Sequence, residues 1–196
     1  MKFLTLPVLL ALVALPVWAD PTPATPGPAP VGRPQAIMDT ADHSGGWVGK
    51  TAQPFTKTDS DGKTVDLSKV FGTRPVVLIF YRGVWCPYCH SQMADLSRHQ
   101  AEFQRAGAAV YAISNEDAPN LKQMQSNEHL GFVMFLSDPD GSAARLYAGL
   151  YPGSMVHQPG SFVIDKHRKI TYAYVNQDYH SRAATTSLLA AVRKSR

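Results

Sequence analysis

The chain has 196 residues, 44% hydrophobic and 17% charged, a balance that suits one folded domain with appendages and excludes a collagenous, coiled-coil or wholly disordered protein. Nineteen Lys and Arg against fifteen Asp and Glu leave a formal charge of +4, too mild and too scattered for a nucleic-acid footprint. Only two cysteines occur, Cys86 and Cys89, which excludes a multi-bridge secreted scaffold and any four-cysteine zinc or iron–sulfur site within one chain.

The N-terminus reads as an address. Lys2 precedes an apolar run from Phe3 to Trp18, interrupted only by Thr5, that closes on Val17-Trp18-Ala19. This predicts a signal peptide over residues 1–19, export to the periplasm or beyond, and no membrane insertion after cleavage. As a membrane span the run is short and carries Pro7 and Pro16. Six of the fifteen residues from Asp20 to Pro34 are proline, so 20–34 is expected to be a stiff linker and 35–196 the folded domain.

Beyond the linker, strand-like and helix-like segments alternate. Phe55 to Thr58 and Lys63 to Val65 flank Asp59-Ser60-Asp61-Gly62 and read as a hairpin. Pro75 to Tyr81 is a continuous β-branched and aromatic run, the pattern of a strand covered on both faces. A helix follows, with Pro87 at its first position and Cys89, Met93, Leu96, Gln100 and Phe103 along one face, ending at Gly107. Ala109 to Ser114 is a further buried strand, Pro119 to Asn127 a polar helix, Phe132 to Leu136 a strand and Ser142 to Ala148 a short helix. Ser161 to Asp165 and Ile170 to Val175 form a second hairpin, and Arg182 to Val192 reads as an amphipathic helix. This alternation predicts an α/β sandwich, its mixed sheet parallel at the centre and antiparallel at the closing hairpin.

The chemistry concentrates where the Pro75–Tyr81 strand runs into the helix. There Trp85-Cys86-Pro87-Tyr88-Cys89 places Cys86 near the N-cap and Cys89 one turn in, on the apolar face. An N-cap sulfur would accept hydrogen bonds from backbone amides, and the helix dipole would favour its thiolate by about 0.3–1 kcal/mol, or ~2 when partly buried. Arg82 adds a positive charge nearby. Cys86 is thus expected to be the nucleophile and Cys89 the resolving thiol. An inert staple is the poorer reading, because closing so short a loop removes only about 2 kcal/mol of unfolded-state entropy. Cys86-Pro-Tyr-Cys89-His90 is also a literal C-x-x-C-H, the attachment motif of c-type haem, which would make His90 an axial ligand of an electron carrier. The strand-rich surroundings argue against that reading.

Phe80-Tyr81-Arg82-Gly83-Val84-Trp85-Cys86-Pro87-Tyr88-Cys89 resembles the active-site segment of redoxin-type proteins of the alkyl hydroperoxide reductase/thiol-specific antioxidant family, within the thioredoxin-fold superfamily. Val48 to Phe55 is similar to the family's entry strand, Leu136 to Gly141 to its mid-chain turn and Pro159 to Asp165 to its late strand. The resemblance implies a thioredoxin-like sandwich with helices on both faces of a central mixed sheet. It also implies that Cys89 occupies the peroxide-attacking position, with Cys86 in place of the supporting Thr or Ser and Arg82 in place of the preceding Pro. Pro159 stands where the family has its second Arg and matches the cis-proline of dithiol oxidoreductases, with Gln158 before it placed to offer backbone to a substrate. Trp85 is expected to cap the cysteine pocket, with Pro87 and Tyr88 beside it. No acid is assigned to deprotonate Cys89; Glu116 and Asp165 are the candidates named.

Taken together these readings predict an exported thiol–disulfide oxidoreductase without a bound cofactor or metal. Cys86 and Cys89 are its catalytic pair, and Arg82, Trp85, Pro87, Tyr88, Gln158 and Pro159 position the substrate. Its partners are protein or small-molecule thiols and disulfides, with hydroperoxides as the alternative substrates of a thiol-dependent peroxidase, and an unidentified redox partner.

Overall fold

The computed structural model describes residues 37–39 and 45–195, so the signal peptide and linker expected over 1–34 lie outside the described residues. Strands β2 (Thr56–Asp59) and β3 (Thr64–Asp66) form the first expected hairpin. In its turn the Asp59 carboxylate accepts from the amides of Asp61 and Lys63, each at 2.9 Å. Strand β4 (Val76–Phe80) is buried at every position. It pairs in parallel with β5 (Ala109–Ser114), which pairs in parallel with β6 (Val133–Ser137). On its other side β4 pairs antiparallel with β7 (Gly160–Ile164), the first arm of the hairpin closed by β8 (Ile170–Val175). The seven-stranded sheet runs β3-β2-β6-β5-β4-β7-β8, mixed as the sequence implied.

The period-two alternation of β4 divides the core. Val77 and Ile79 face a cluster with Met93 and Leu96 of helix α1 (Pro87–Arg98), Phe103 of α2 (Gln100–Arg105) and Leu121 and Met124 of α3 (Ala118–Asn127). Leu188, Leu189 and Val192 of the C-terminal helix α5 (Thr185–Lys194) complete that layer. Val76, Leu78 and Phe80 face the other way, against Ala143 and Ala144 of α4 (Ser142–Leu146), Tyr147 and Phe162. Both faces of the sheet are therefore covered by helix.

Two expectations change. The single helix from Pro87 toward Gly107 divides at His99, whose backbone leaves helical geometry while its Nδ1 bonds the Asp95 carbonyl at 2.9 Å. The helix expected to begin at Arg182 begins instead at Thr185. Ser181–Ala183 is a short strand, β9, paired in parallel with β1 (Ile37–Asp39) in a separate two-stranded sheet. The cause is local. Asp178 accepts from the amides of His180 and Ser181 through its side chain and its carbonyl, which turns the chain before a helix can start.

The registers fix where chemistry can occur. Phe80 lies opposite Ile113 on one side and Gly160 on the other, so the ends of β4 and β5 and the start of β7 meet at one pole, where α1 begins.

Candidate active site

Past Phe80 the chain stays tied to the sheet through Tyr81, whose amide bonds the Ile113 carbonyl at 3.0 Å. It then crosses Arg82 to Trp85 and enters α1 with Pro87 at the first position, where a missing amide costs nothing. Cys86 is the N-cap with extended dihedrals, and both cysteines are buried free thiols. Its sulfur does not make the expected capping hydrogen bond.

Two arginines converge on the sulfur pair. Arg82 puts Nη1 3.9 Å from the Cys86 Sγ, and its own amide 3.4 Å from the Cys89 Sγ. Arg182, from β9, puts Nη2 3.9 Å from the Cys86 Sγ and 3.5 Å from the Cys89 Sγ. Arg182 is only 1% exposed, and its Nη1 donates to the carbonyls of Tyr179 and Ser181. Hydrogen bonding from the Cys89 thiol, with the Cys89 backbone amide close by and then Arg182 and Arg82, outweighs burial and brings the Cys86 thiol down to about 5. Burial, and the donation of its proton toward Cys86, push Cys89 well up. One sulfur is a ready thiolate while its neighbour keeps a proton.

The loop before Cys86 is clamped at a single residue, Val84. The Val84 amide donates to both Glu116 carboxylate oxygens at 2.9 Å, and the Val84 carbonyl accepts from His90 Nε2 at 2.6 Å. His90 is held in turn through Nδ1, 2.7 Å from Glu128 Oε1. With both ring nitrogens on protein groups, His90 has no nitrogen to offer an iron, and the haem reading loses its axial ligand. Glu116 supports the loop rather than contacting either sulfur, and burial raises its carboxyl against the hydrogen bond from Val84. Asp165 lies at the far end of β7, capping the hairpin turn through the amides of His167 and Lys169, both at 2.8 Å.

The outer wall is aromatic. The Arg82 guanidinium lies 4.1 Å from the Tyr179 ring centroid, 4.7 Å from that of Trp85 and 5.4 Å from that of Tyr151. Tyr88 packs edge-on against Tyr179 and His180. Trp85 is 54% exposed, so it flanks Arg82 at the surface rather than sealing the cysteine pocket. Pro159 is buried, but no cis peptide bond occurs among the described residues, and the expected cis-proline is absent. The antiparallel bridge between Leu150 and His157 carries the chain into β7 along an extended path. Gln158 is spent on that bridge, its amide donating to Gly149 O and its Nε2 to Leu150 O, both at 3.0 Å.

Of the residues singled out by sequence, Cys86, Cys89, Arg82, Trp85, Pro87 and Tyr88 come together; Gln158 is committed elsewhere. Sequence reasoning missed Arg182, Tyr151, Tyr179 and Glu128. Arg182 brings a second guanidinium to the sulfurs from a strand far along the chain, and no local motif announces it.

Comparison with known proteins agrees with this geometry. Residues 48–173 match the AhpC/TSA family. The chain belongs to that family. It is 34% identical over 167 residues to the chloroplastic peroxiredoxin Q of Oryza sativa subsp. japonica, covering 84% of this chain and 73% of the rice protein. It is 28% identical over 149 residues to alkyl hydroperoxide reductase E of Mycobacterium bovis, covering 74% of this chain and 97% of that one. Among solved structures, Peroxidoxin BcpB from Mycobacterium tuberculosis superposes with a TM-score of 0.64 at 26% identity, over 76% of this chain and 97% of the other. The thioredoxin-like fold expected from the sequence is thus the observed one, in its peroxiredoxin form.

Proposed function

We propose that this AhpC/TSA-family protein is a thiol-dependent peroxidase that reduces hydroperoxides with Cys86 and Cys89 and is regenerated by an external thiol reductant. The names of its relatives, two peroxiredoxin-type enzymes and a peroxidoxin, favour peroxide chemistry over the general disulfide exchange that the Cys-Pro-Tyr-Cys segment suggested. The observation that carries the reading is the pair of guanidiniums on the sulfurs, because a peroxidase needs fixed donors for the charge that leaves with the departing oxygen.

The chemistry follows from the division between the thiols. The Cys86 thiolate attacks one peroxide oxygen, an S–O bond forms as the O–O bond breaks, and the departing alkoxide or hydroxide takes up a proton. Cys86 is then a sulfenic acid. Cys89 attacks that sulfur, its proton leaves with the hydroxide as water, and a Cys86–Cys89 disulfide remains. A dithiol reductant returns two electrons and two protons to the pair. This assigns the first attack to Cys86, although the family pattern places its attacking cysteine at 89. The support is the N-cap position and the low thiol pKa of Cys86.

The test compares hydrogen peroxide consumption and insulin reduction on one preparation, with the Cys86→Ser, Cys89→Ser double variant as blank. Peroxide turnover of order 10⁴ M⁻¹s⁻¹ or above is expected, where efficient enzymes begin. Rapid insulin reduction with negligible peroxide turnover would return the protein to the disulfide oxidoreductases. We also propose that the domain works after export, on the pattern of residues 1–19 alone; fractionation of the expressed full chain checks it.

A further inference from the structure

We propose that strand β1 is a strap that keeps the Arg182 guanidinium on the two sulfurs and so governs how readily Cys86 reacts. Among the described residues, Arg182 is a buried cation whose hydrogen bonds go to two backbone carbonyls and two sulfurs, not to a carboxylate. Those carbonyls belong to Tyr179 and Ser181, in its own segment, so the path of that segment sets where the guanidinium lies. A cation in such surroundings acts strongly on a neighbouring thiolate, and the effect falls as the separation grows.

What holds that path is the point. Strand β9 is not part of the seven-stranded sheet; its strand partner is β1, in the register Ile37 to Ser181, Met38 to Arg182 and Asp39 to Ala183. Arg182 is therefore the middle residue of a ladder whose other side lies more than 140 residues earlier in the sequence, in Ile37–Asp39. Without β1 the amides and carbonyls of β9 lose their ladder, and the Tyr179 to Ala183 segment is free to swing its guanidinium off the sulfurs. Among the described residues, the other charged and titratable groups around Cys86 are Cys89 on α1, Arg82 on the β4–α1 loop and Tyr151. None of them is borne by β9, but the Tyr179 ring that stacks on Arg82 moves with the same segment, and the Arg182→Met background separates that route from the one through Arg182.

The inference deepens the peroxidase reading, yet it is tested without peroxide. Full-length protein carrying Ile37→Pro, Met38→Pro and Asp39→Pro cannot form the β1 ladder, and Met38→Pro alone is a milder version should the triple change unfold the domain. Cys86 alkylation by iodoacetamide is followed against pH, with mass spectrometry assigning the modified sulfur. The midpoint is expected to rise by about 1 pH unit or more, the size typical of losing a nearby opposite charge. Arg182→Met should raise it similarly, and releasing β1 in the Arg182→Met background should add nothing. An unmoved midpoint once hydrogen exchange shows the β9 amides exposed, or an equal further shift without Arg182, overturns the proposal. Absence of peroxidase activity would sink the functional reading and leave this one standing.

Discussion

A Cβ placed on Gly83 would stand 2.5 Å from the Trp85 indole nitrogen and 2.9 Å from a Glu116 carboxylate oxygen. Gly83 also holds a φ of +150°, in a region that side chains rarely enter. The loop that delivers Arg82 and Cys86 is thus folded as tightly as the absence of a side chain allows. Gly83→Ala is expected to destabilise the protein by about 1–3 kcal/mol. It should also slow Cys86 alkylation at pH 7 by loosening the Arg82 contact; denaturant titration and alkylation on one sample check both.

The thiol pair makes the stability of the reduced protein depend on pH in a defined direction. Cys86 has a lower pKa folded than unfolded, so its contribution is complete above the unfolded value near 9 and is lost as pH falls toward about 5. Cys89 is raised, so its contribution is lost as pH rises beyond the unfolded value. Reduced protein should gain up to about 1.4 kcal/mol per pH unit between 5 and 9 from Cys86, then weaken above 9. Cys86→Ser should remove the first slope, as read from unfolding midpoints across the range.

On the sheet face away from α1, Asp138 is fully buried and bonds Lys57 Nζ at 2.6 Å and the Ala143 and Ala144 amides at 3.2 and 2.9 Å. The buried His157 lies 3.2 Å from it. Asp138→Ala leaves Lys57 to Asp140 and Ser142 and takes the acceptor from the buried Ala143 and Ala144 amides, an expected loss of about 1–3 kcal/mol. The Cys86 alkylation profile of the molecules that remain folded should be unchanged, which separates this network from the site.

His90→Ala takes the donor from the Val84 carbonyl and leaves the clamp to Glu116 alone. A cost of about 1–3 kcal/mol is expected for the unsatisfied buried carbonyl. Slower reaction of Cys86 with peroxide, measured in a single turnover, is expected with it. His90→Asn, which keeps a donor, should recover part of both.

The fold was legible where one local cause dominates. A strand covered on both faces has to be apolar throughout, and Val76 to Phe80 is; a hairpin needs turn residues, and Asp59 and Asp165 supply them through their carboxylates. Cys86 and Cys89 announced themselves by position at a strand-to-helix junction. Arg182 did not, because the two sulfurs it reaches lie 96 and 93 residues away along the chain, while its neighbours Ala183 and Ala184 look like the start of a helix. His90 was legible as chemistry but not as support, since Glu128 and Val84 reach it only in three dimensions. At Pro159 the local likeness misled, because the Leu150 to His157 bridge determines the path of the chain there.

Tryptophans stand at two very different places in the folded domain. Trp47 packs against Tyr147 and Phe162 on the sheet face remote from the thiols, whereas Trp85 lies on Arg82 one residue before Cys86. Among the described residues these two form a pair of optical probes, and a form cleaved after Ala19 would carry no other tryptophan. Emission from Trp85 should follow each change of sulfur oxidation state in real time, while emission from Trp47 should stay constant until the domain melts, so that a Trp85→Phe variant turns a redox signal into a pure folding signal.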